Sequence, residues 1–414
     1  MIAEIAGFVT RREGRKFQRL VDIDESIINT TTLAKGTGIS LYVHIPFCRS
    51  LCPFCCFNRY LFQEDLARRY FIDLKQELEM YHERGFVFGD VYFGGGTPTV
   101  LIDELGGFIK HLRKQFKIRQ ISLETTPREL TSQNIKLLKD YGINRLSIGV
   151  QSFDEKILKT MGRVNGPTTE VKKRLLQAQG EFDTLNVDFV FNFPGQTVAQ
   201  FTTDVKLFKE FDIDQATFYP LMASPHKKDA MERRFNRVDN SRERKFYGVI
   251  LKQLYHGGYQ ASTAWCFSRG KRLIDEYIIE SDDYIGIGSG SVSIVNGNFF
   301  VNSFALDHYH KLITAGRLPI VGWRKLSERE RLRYYLLTKL FGLKVDKKTF
   351  EQRFGGEIGQ KLWLEMAFLK AGGVIKEDGS LEVTEKGMYP VSVMMREFFA
   401  ALNTLREYHI ENQI

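Results

Sequence analysis

Cysteine is scarce: five occur in 414 residues. That is too few, and too unevenly spread, for a disulfide framework, and no secretory signal is read at the N-terminus, so the expected setting is a reducing cytoplasm. Long apolar runs are absent, and no stretch is long enough to span a bilayer. There is no internal repeat, no low-complexity tract and no DNA- or RNA-binding motif. The Gly-rich segment 285–291 is not flanked as a Walker phosphate loop would be, so a nucleotide-phosphate role is set aside.

What is present is ordinary for a soluble globular protein: 43% hydrophobic and 26% charged residues. The length allows two or three domains and a sizeable core. Thirty-three phenylalanines must line a large core or an apolar pocket. A net charge of +9 favours acidic partners: a polycarboxylate, a phosphate-bearing small molecule or, peripherally, an anionic membrane face.

Four of the five cysteines fall within residues 41–60. Cys48, Cys52 and Cys55 form C-x3-C-x2-C directly after an apolar strand-like run, and Cys56 follows. Thiolates are soft ligands, and three in one loop suit three corners of a [4Fe–4S] cluster, leaving the fourth iron open. Structural zinc wants four ligands at set spacing, which neither Cys56 nor His44 supplies.

Four blocks extend the pattern: Tyr42-Val43-His44-Ile45-Pro46-Phe47-Cys48, then Tyr92-Phe93-Gly94-Gly95-Gly96-Thr97-Pro98-Thr99, then Leu146 to Asp154 (LSIGVQSFD), then Val187 to Thr197 (VDFVFNFPGQT). In this order they resemble the oxygen-independent coproporphyrinogen III oxidase-like branch of the radical S-adenosylmethionine (SAM) superfamily, over about residues 40–230. The resemblance implies that SAM chelates the open iron. It implies that an electron, from a donor such as flavodoxin or ferredoxin, cleaves SAM to a 5′-deoxyadenosyl radical. It also implies two SAM molecules side by side. Carried onto matching positions, their contacts are Tyr42, Phe54, Gly95, Gly96, Thr97, Glu124, Gln151, Arg163, Asp188 and Val292. The residue types agree. Glycines admit close backbone approach, Glu124 and Asp188 suit a ribose diol or an ammonium, and Arg163 suits a carboxylate.

From residue 39 strands and helices alternate, with strands expected at 39–43, 86–93, 118–124, 145–150, 185–191 and 215–219. Thr131 reads as a helix cap. The expected fold is α/β: a partial (β/α)6 TIM-like barrel with a small α+β add-on and a C-terminal helical, winged-helix-like domain. The expected divisions are a basic extension (1–38), the barrel (39–230), a barrel-closing region (231–320) with a hairpin at Asn296-Gly297, and the C-terminal domain (321–414). Barrel chemistry belongs at the C-terminal ends of the strands, where Cys48, Gly94, Glu124, Gln151, Asp188 and Tyr219 fall.

Three functions share such a scaffold. Radical C-methylation of a conjugated substrate (porphyrin, quinone or heterocycle), using the second SAM, is placed first. Oxidative decarboxylation of a porphyrinogen and haem chaperoning are the alternatives. Methylation leads because Cys56 directly follows Cys55, where the decarboxylases space a further cysteine by one residue. In addition, Ser262 to Arg269 (STAWCFSR) departs from the chaperone pattern. Cys56 and Cys266 are candidate hydrogen-atom or proton donors to a product radical; for Cys266 a buried apolar role beside Trp265 is the competing reading. Tyr219 and His226 are considered for acid/base work, and Tyr277, Tyr284 and Tyr309 for pocket lining.

Overall fold

The computed structural model describes residues 1–21, 27, 38–163, 165–222, 225–235, 238–270 and 281–413. Tyr277 and the side chain of His226 lie outside the described residues. The chain opens with α1 (Ile2–Gly14). β1 (Ile39–Ile45) leads into a short pair, β2 (Phe47–Cys48) and β3 (Tyr60–Leu61), and then α2 (Glu64–Glu83). Next come β4 (Phe88–Gly95), α3 (Ile102–Gln115), β5 (Gln120–Thr125), α4 (Ser132–Asp140), β6 (Arg145–Gln151), α5 (Glu155–Thr160), α6 (Thr168–Ala178), β7 (Thr184–Phe191), α7 (Val198–Glu210) and β8 (Gln215–Pro220). All six expected strands are present within two residues of their predicted bounds. Thr131 caps α4, its side chain accepting from the Asn134 amide.

Strands β1, β4, β5, β6, β7 and β8 pair in that order, all parallel. Side chains alternate across each strand. One set is apolar and packs under the helices: Leu41, Val43 and Ile45; Val91 and Phe93; Ile121 and Leu123; Leu146, Ile148 and Val150; Val187 and Phe189; Ala216 and Phe218. The other set is polar and faces inward, and it is bonded in layers across β6, β7 and β8. At the bottom, fully buried Arg145 donates from Nε (3.0 Å) and Nη2 (2.8 Å) to Gln215 Oε1, and Gln215 Nε2 donates to Ser268 Oγ at 2.9 Å. Above it Asn186 donates to Ser147 Oγ at 2.8 Å and accepts from Thr217 Oγ1 at 3.0 Å. Asp188 tops the stack.

Beyond the repeats lie α8 (Pro225–Phe235), α9 (Glu243–Ile250), β9 (Gln260–Ala261), β10 (Cys266–Ser268), β11 (Tyr284–Ile287), β12 (Val292–Val295), β13 (Asn298–Asn302), α10 (Leu306–Thr314) and β14 (Ile320–Lys325). The α+β add-on expected to close the barrel is continuous with the main sheet. β11 pairs parallel with β1, and β12, β13 and β14 continue antiparallel, while β10 and β9 extend the other edge, giving one twelve-stranded sheet. The reason is that β1 needs a second neighbour, and apolar Tyr284 to Ile287 is buried on both faces. The Asn296-Gly297 hairpin forms between β12 and β13 with both residues at positive φ (48° and 74°).

The C-terminal region holds α11 (Glu328–Phe341), β15 (Lys344–Val345), α12 (Lys347–Phe354), α13 (Ile358–Lys361), α14 (Trp363–Ala371), the hairpin β16 (Ile375–Asp378) and β17 (Ser380–Val383), and α15 (Glu385–Glu411). β15 joins the hairpin, making three strands. The N-terminal helix α1 lies along α15. A Cβ on Gly7 would sit 2.9 Å from Val393 Cγ1, and one on Gly14 2.8 Å from Ala401 Cβ, so these glycines let the two helices approach.

The inward polar layers give a test. Gln215→Leu would deprive buried Arg145 of its Gln215 acceptor, and urea denaturation is expected to show a loss of about 1.5–3 kcal/mol.

Candidate functional site

Side chains from the C-terminal ends of all six parallel strands reach a single cavity of about 280 Å³. In a flat sheet those six strands would spread over about 24 Å, so the sheet must curl for them to converge. Tyr42 and His44 come from β1, Tyr92 and Gly95 from β4, Glu124 from β5, Gly149 and Gln151 from β6, Asp188 and Val190 from β7, and Tyr219 from β8. All ten predicted SAM contacts line this cavity, as do Cys48, Cys52, Cys55 and Cys56. Cys266 does not. It is fully buried in β10 opposite Thr217, and its neighbour Trp265 faces the cavity instead.

The cysteine segment leaves β1 through β2 and returns through β3, which pairs parallel with β2. A turn closes it, the Cys55 amide donating to the Cys52 carbonyl at 3.2 Å. Two of its sulfurs receive side-chain donors: Thr97 Oγ1 to Cys48 at 3.7 Å and Arg163 Nη1 to Cys52 at 3.6 Å. Burial pushes the Cys48 thiol up to about 11, opposed by the Thr97 hydrogen bond. Ligation by a metal overcomes that penalty, and donors aimed at sulfur stabilise a bound thiolate. Among the described residues no three His, Cys, Asp or Glu side chains gather tightly enough for a single ion. Three thiols in one cavity, two of them with donors, fit a [4Fe–4S] cluster.

His44 is no ligand. Its Nε2 is 2.8 Å from the Asn58 carbonyl, which can only accept, so Nε2 carries the proton. Nδ1 therefore accepts from Tyr42 Oη at 3.0 Å, which fixes the Tyr42 ring. Burial lowers the His44 pKa to about 4, with the Arg406 charge adding to it. Asn58 ties the cysteine segment to the glycine-rich segment, donating to Ser289 Oγ at 3.0 Å. The glycines there serve packing: a Cβ on Gly288 would meet Tyr70 Oη at 2.4 Å, and one on Gly290 would meet Asn58 Cβ at 2.7 Å. The Gly288 amide is taken by buried Glu77 at 2.7 Å, whose pKa burial raises to about 7.

The triple glycine at the end of β4 is also constrained by the protein itself. A Cβ on Gly95 would lie 2.7 Å from the His44 ring, and one on Gly96 2.6 Å from the Phe47 carbonyl. The amides of Gly95, Gly96 and Thr97 donate to Glu124, Ile45 and Phe47, and the Thr97 carbonyl accepts from the Val100 amide, so what this turn can offer a ligand is the carbonyls of its glycines. Glu124 is held by Tyr92 Oη at 2.9 Å and the Gly95 amide at 3.2 Å. Asp188 is held by Ser147 at 2.9 Å and Asn186 at 2.7 Å. Gln151 sits at φ 73°, where β6 bulges between Gly149 and Gln151, a strained conformation of the kind stored at ligand sites. Phe54 packs edge-on to Phe193 at 5.7 Å.

Sequence reasoning missed several lining residues. His44 and Tyr92 share the inward parity of Tyr42 and Glu124, so strict alternation would have found them. Arg49, Arg59, Arg128, Asn403 and Arg406 carried no such signal. The last two arrive on α15, far along the chain.

The His44 burial predicts a pH effect. Its folded pKa is depressed, so the unfolded chain takes up the proton first as pH falls. Stability present above about pH 6.5 is lost as pH falls toward about 4, by about 3 kcal/mol in all. Urea midpoints measured across this range should fall less steeply for His44→Gln than for the wild type.

The sequence model of the Radical SAM superfamily matches residues 42–208. The oxygen-independent coproporphyrinogen III oxidase of Helicobacter pylori (strain ATCC 700392 / 26695) is 27% identical over 409 residues, covering 91% of this chain and 89% of that protein. The heme chaperone HemW of Bacillus subtilis (strain 168) is 26% identical over 331 residues, covering 76% of this chain and 87% of that protein. Among solved structures, coproporphyrinogen III oxidase (HemN) from Escherichia coli superposes with a TM-score of 0.78 at 21% identity, over 92% of this chain and 94% of that one, and so shares the fold. With the cysteine motif, the curled parallel sheet and the cavity at its strand ends, residues 42–208 match the radical SAM superfamily, and the chain is similar along most of its length to the oxygen-independent coproporphyrinogen III oxidases.

Proposed function

We propose that this protein oxidatively decarboxylates carboxylate side chains of a porphyrinogen. The supporting observation is coverage. The likeness to an oxidase runs over 91% of the chain, whereas the likeness to a haem chaperone stops at 76%. The sequence alone ranks methyl transfer first on the adjacency of Cys55 and Cys56. The comparisons reverse that order, because the relatives matched along nearly the whole chain are oxidases. A cationic cavity agrees with a polycarboxylate, since five arginines line it against Glu124, Glu129 and Asp188.

Cys48, Cys52 and Cys55 would hold three irons of a [4Fe–4S] cluster. When bound, the cluster and SAM supply a carbon-centred radical that removes a hydrogen atom from the substrate. The chain's own part is positioning. The carbonyl edge of Gly95 and Gly96 receives an ammonium. Glu124 and Asp188, already braced by neutral donors, face hydroxyl or ammonium groups. Arg163 and Gln151 bridge carboxylate and backbone, and Tyr42, Phe54, Thr97 and Val292 shape the walls. On this reading the same set serves two SAM molecules. A propionate that loses a hydrogen atom, CO2 and one electron becomes a vinyl group, the electron leaving to a one-electron acceptor. A small reductant protein such as flavodoxin or ferredoxin primes the cluster. No helix of the described residues is long and apolar enough to cross a membrane.

Anaerobic turnover with coproporphyrinogen III should yield 5′-deoxyadenosine and CO2 without S-adenosylhomocysteine. Appearance of adenosylhomocysteine with a methylated product would restore methyl transfer, and a Soret band on haem addition without SAM scission would favour haem delivery. Cys52→Ala should fold, judged by circular dichroism, yet lose bound iron and SAM cleavage.

A further inference from the structure

The cavity's five arginines are not equivalent. Arg49 is committed to Glu129, Nε to Oε1 at 2.6 Å, and also donates to the Val100 carbonyl. Arg163 is spread over Cys52, Asn165 and the Gly149 carbonyl. Arg59 donates Nη2 to the Cys55 carbonyl at 2.9 Å, and its Nε and Nη1 are buried with no hydrogen-bond partner among the described residues.

Arg406 differs. It lies on α15, with its guanidinium over the Phe57 ring at 5.0 Å. Its Nη1 donates to Asn403 Oδ1 at 2.9 Å. Asn403 is fully buried and fixed in turn by donating to the Met222 carbonyl at 3.1 Å. One edge of the guanidinium is thus held by an aromatic platform and a locked amide. Among the described residues no carboxylate pairs with it, although a guanidinium has five N–H donors in a rigid fork. Arg128, exposed at the same cavity, also has no carboxylate partner among the described residues. A preorganised, half-buried cation with free donors in a ligand cavity matches the forked, two-oxygen geometry of a carboxylate.

We propose that Arg406 is the specificity-determining contact for a substrate carboxylate, with Arg128 at the rim receiving a second one. This deepens the porphyrinogen reading and rests on it. A tetrapyrrole bearing several free carboxylates is selected over the same ring with esterified or neutral side chains, and α15 belongs to the substrate site as well as to the core against α1.

The test uses the cluster-loaded protein and an air-stable probe. Coproporphyrin III and its tetramethyl ester are titrated by their Soret absorbance into wild type, Arg406→Gln, Arg406→Lys and Arg128→Gln. Wild type is expected to prefer the free acid. Arg406→Gln should weaken the acid by about 10- to 100-fold and leave the ester unchanged, with iron content, SAM binding and thermal midpoint as in wild type. Arg406→Lys should recover part of the loss, and Arg128→Gln should show a smaller one. If wild type discriminates acid from ester and Arg406→Gln does so equally well, the assignment of Arg406 is overturned while the porphyrin reading stands. If wild type binds neither form, or both alike, the porphyrin-carboxylate reading itself fails.

Discussion

Everything in the site depends on the two-residue alternation of six parallel strands. One set of side chains is apolar and buries itself under the helices. That fixes the register of each strand, because a slip by one residue would turn the apolar set inward. The polar set is thereby forced into the interior of a curled sheet, where burial requires every donor and acceptor to find a partner. The resulting layers, Arg145 with Gln215 and then Ser147, Asn186 and Thr217, carry Asp188 to the cavity floor already braced on both oxygens. A carboxylate held this way has lost its rotamer freedom before any ligand arrives.

The cysteine segment is anchored by a second set of contacts. Asn58 fastens it to the glycine-rich segment, Tyr70 reaches the His44 carbonyl, and His44, kept neutral by burial, passes one hydrogen bond from Tyr42 to the Asn58 carbonyl. The glycines nearby are explained by protein atoms. Any side chain at Gly95, Gly96, Gly288 or Gly290 would strike His44, Phe47, Tyr70 or Asn58. Close approach of backbone to backbone, more than approach of backbone to ligand, accounts for their number. The loop that would hold a redox-active group is therefore rigid on the side facing the sheet and open only toward the cavity.

The two chain ends meet over this arrangement. α1 lies on α15 through Gly7 and Gly14, and buried Arg396 is shared between Glu243 and Glu397, the latter also paired with Arg11. Arg396, Glu243 and Glu397 lie inside the protein, so each is compensated by an opposite charge, while Arg11 reaches Glu397 from the surface. The network pins α15 in register, which sets where Phe399, Asn403 and Arg406 enter the cavity.

Much of this was legible in the residues. Strand positions, the Thr131 cap, the Asn296-Gly297 hairpin, the cysteine spacing and the residues at strand ends follow from local rules: period, capping, turn chemistry and soft-ligand preference. Each depends on neighbours within a few positions. What only the tertiary structure decided depends on contacts far apart in the chain. β11 joined β1 and made the expected add-on part of the main sheet. Cys266 turned into the core while Trp265 faced the cavity. Arg406, some 350 residues beyond the cysteines, was delivered to them by a helix whose placement is set by packing against α1. The sequence by itself determined the alternation and the cysteine spacing. The long-range packing chose which cations face the cavity, because no short stretch of chain encodes a neighbour that arrives from its other end.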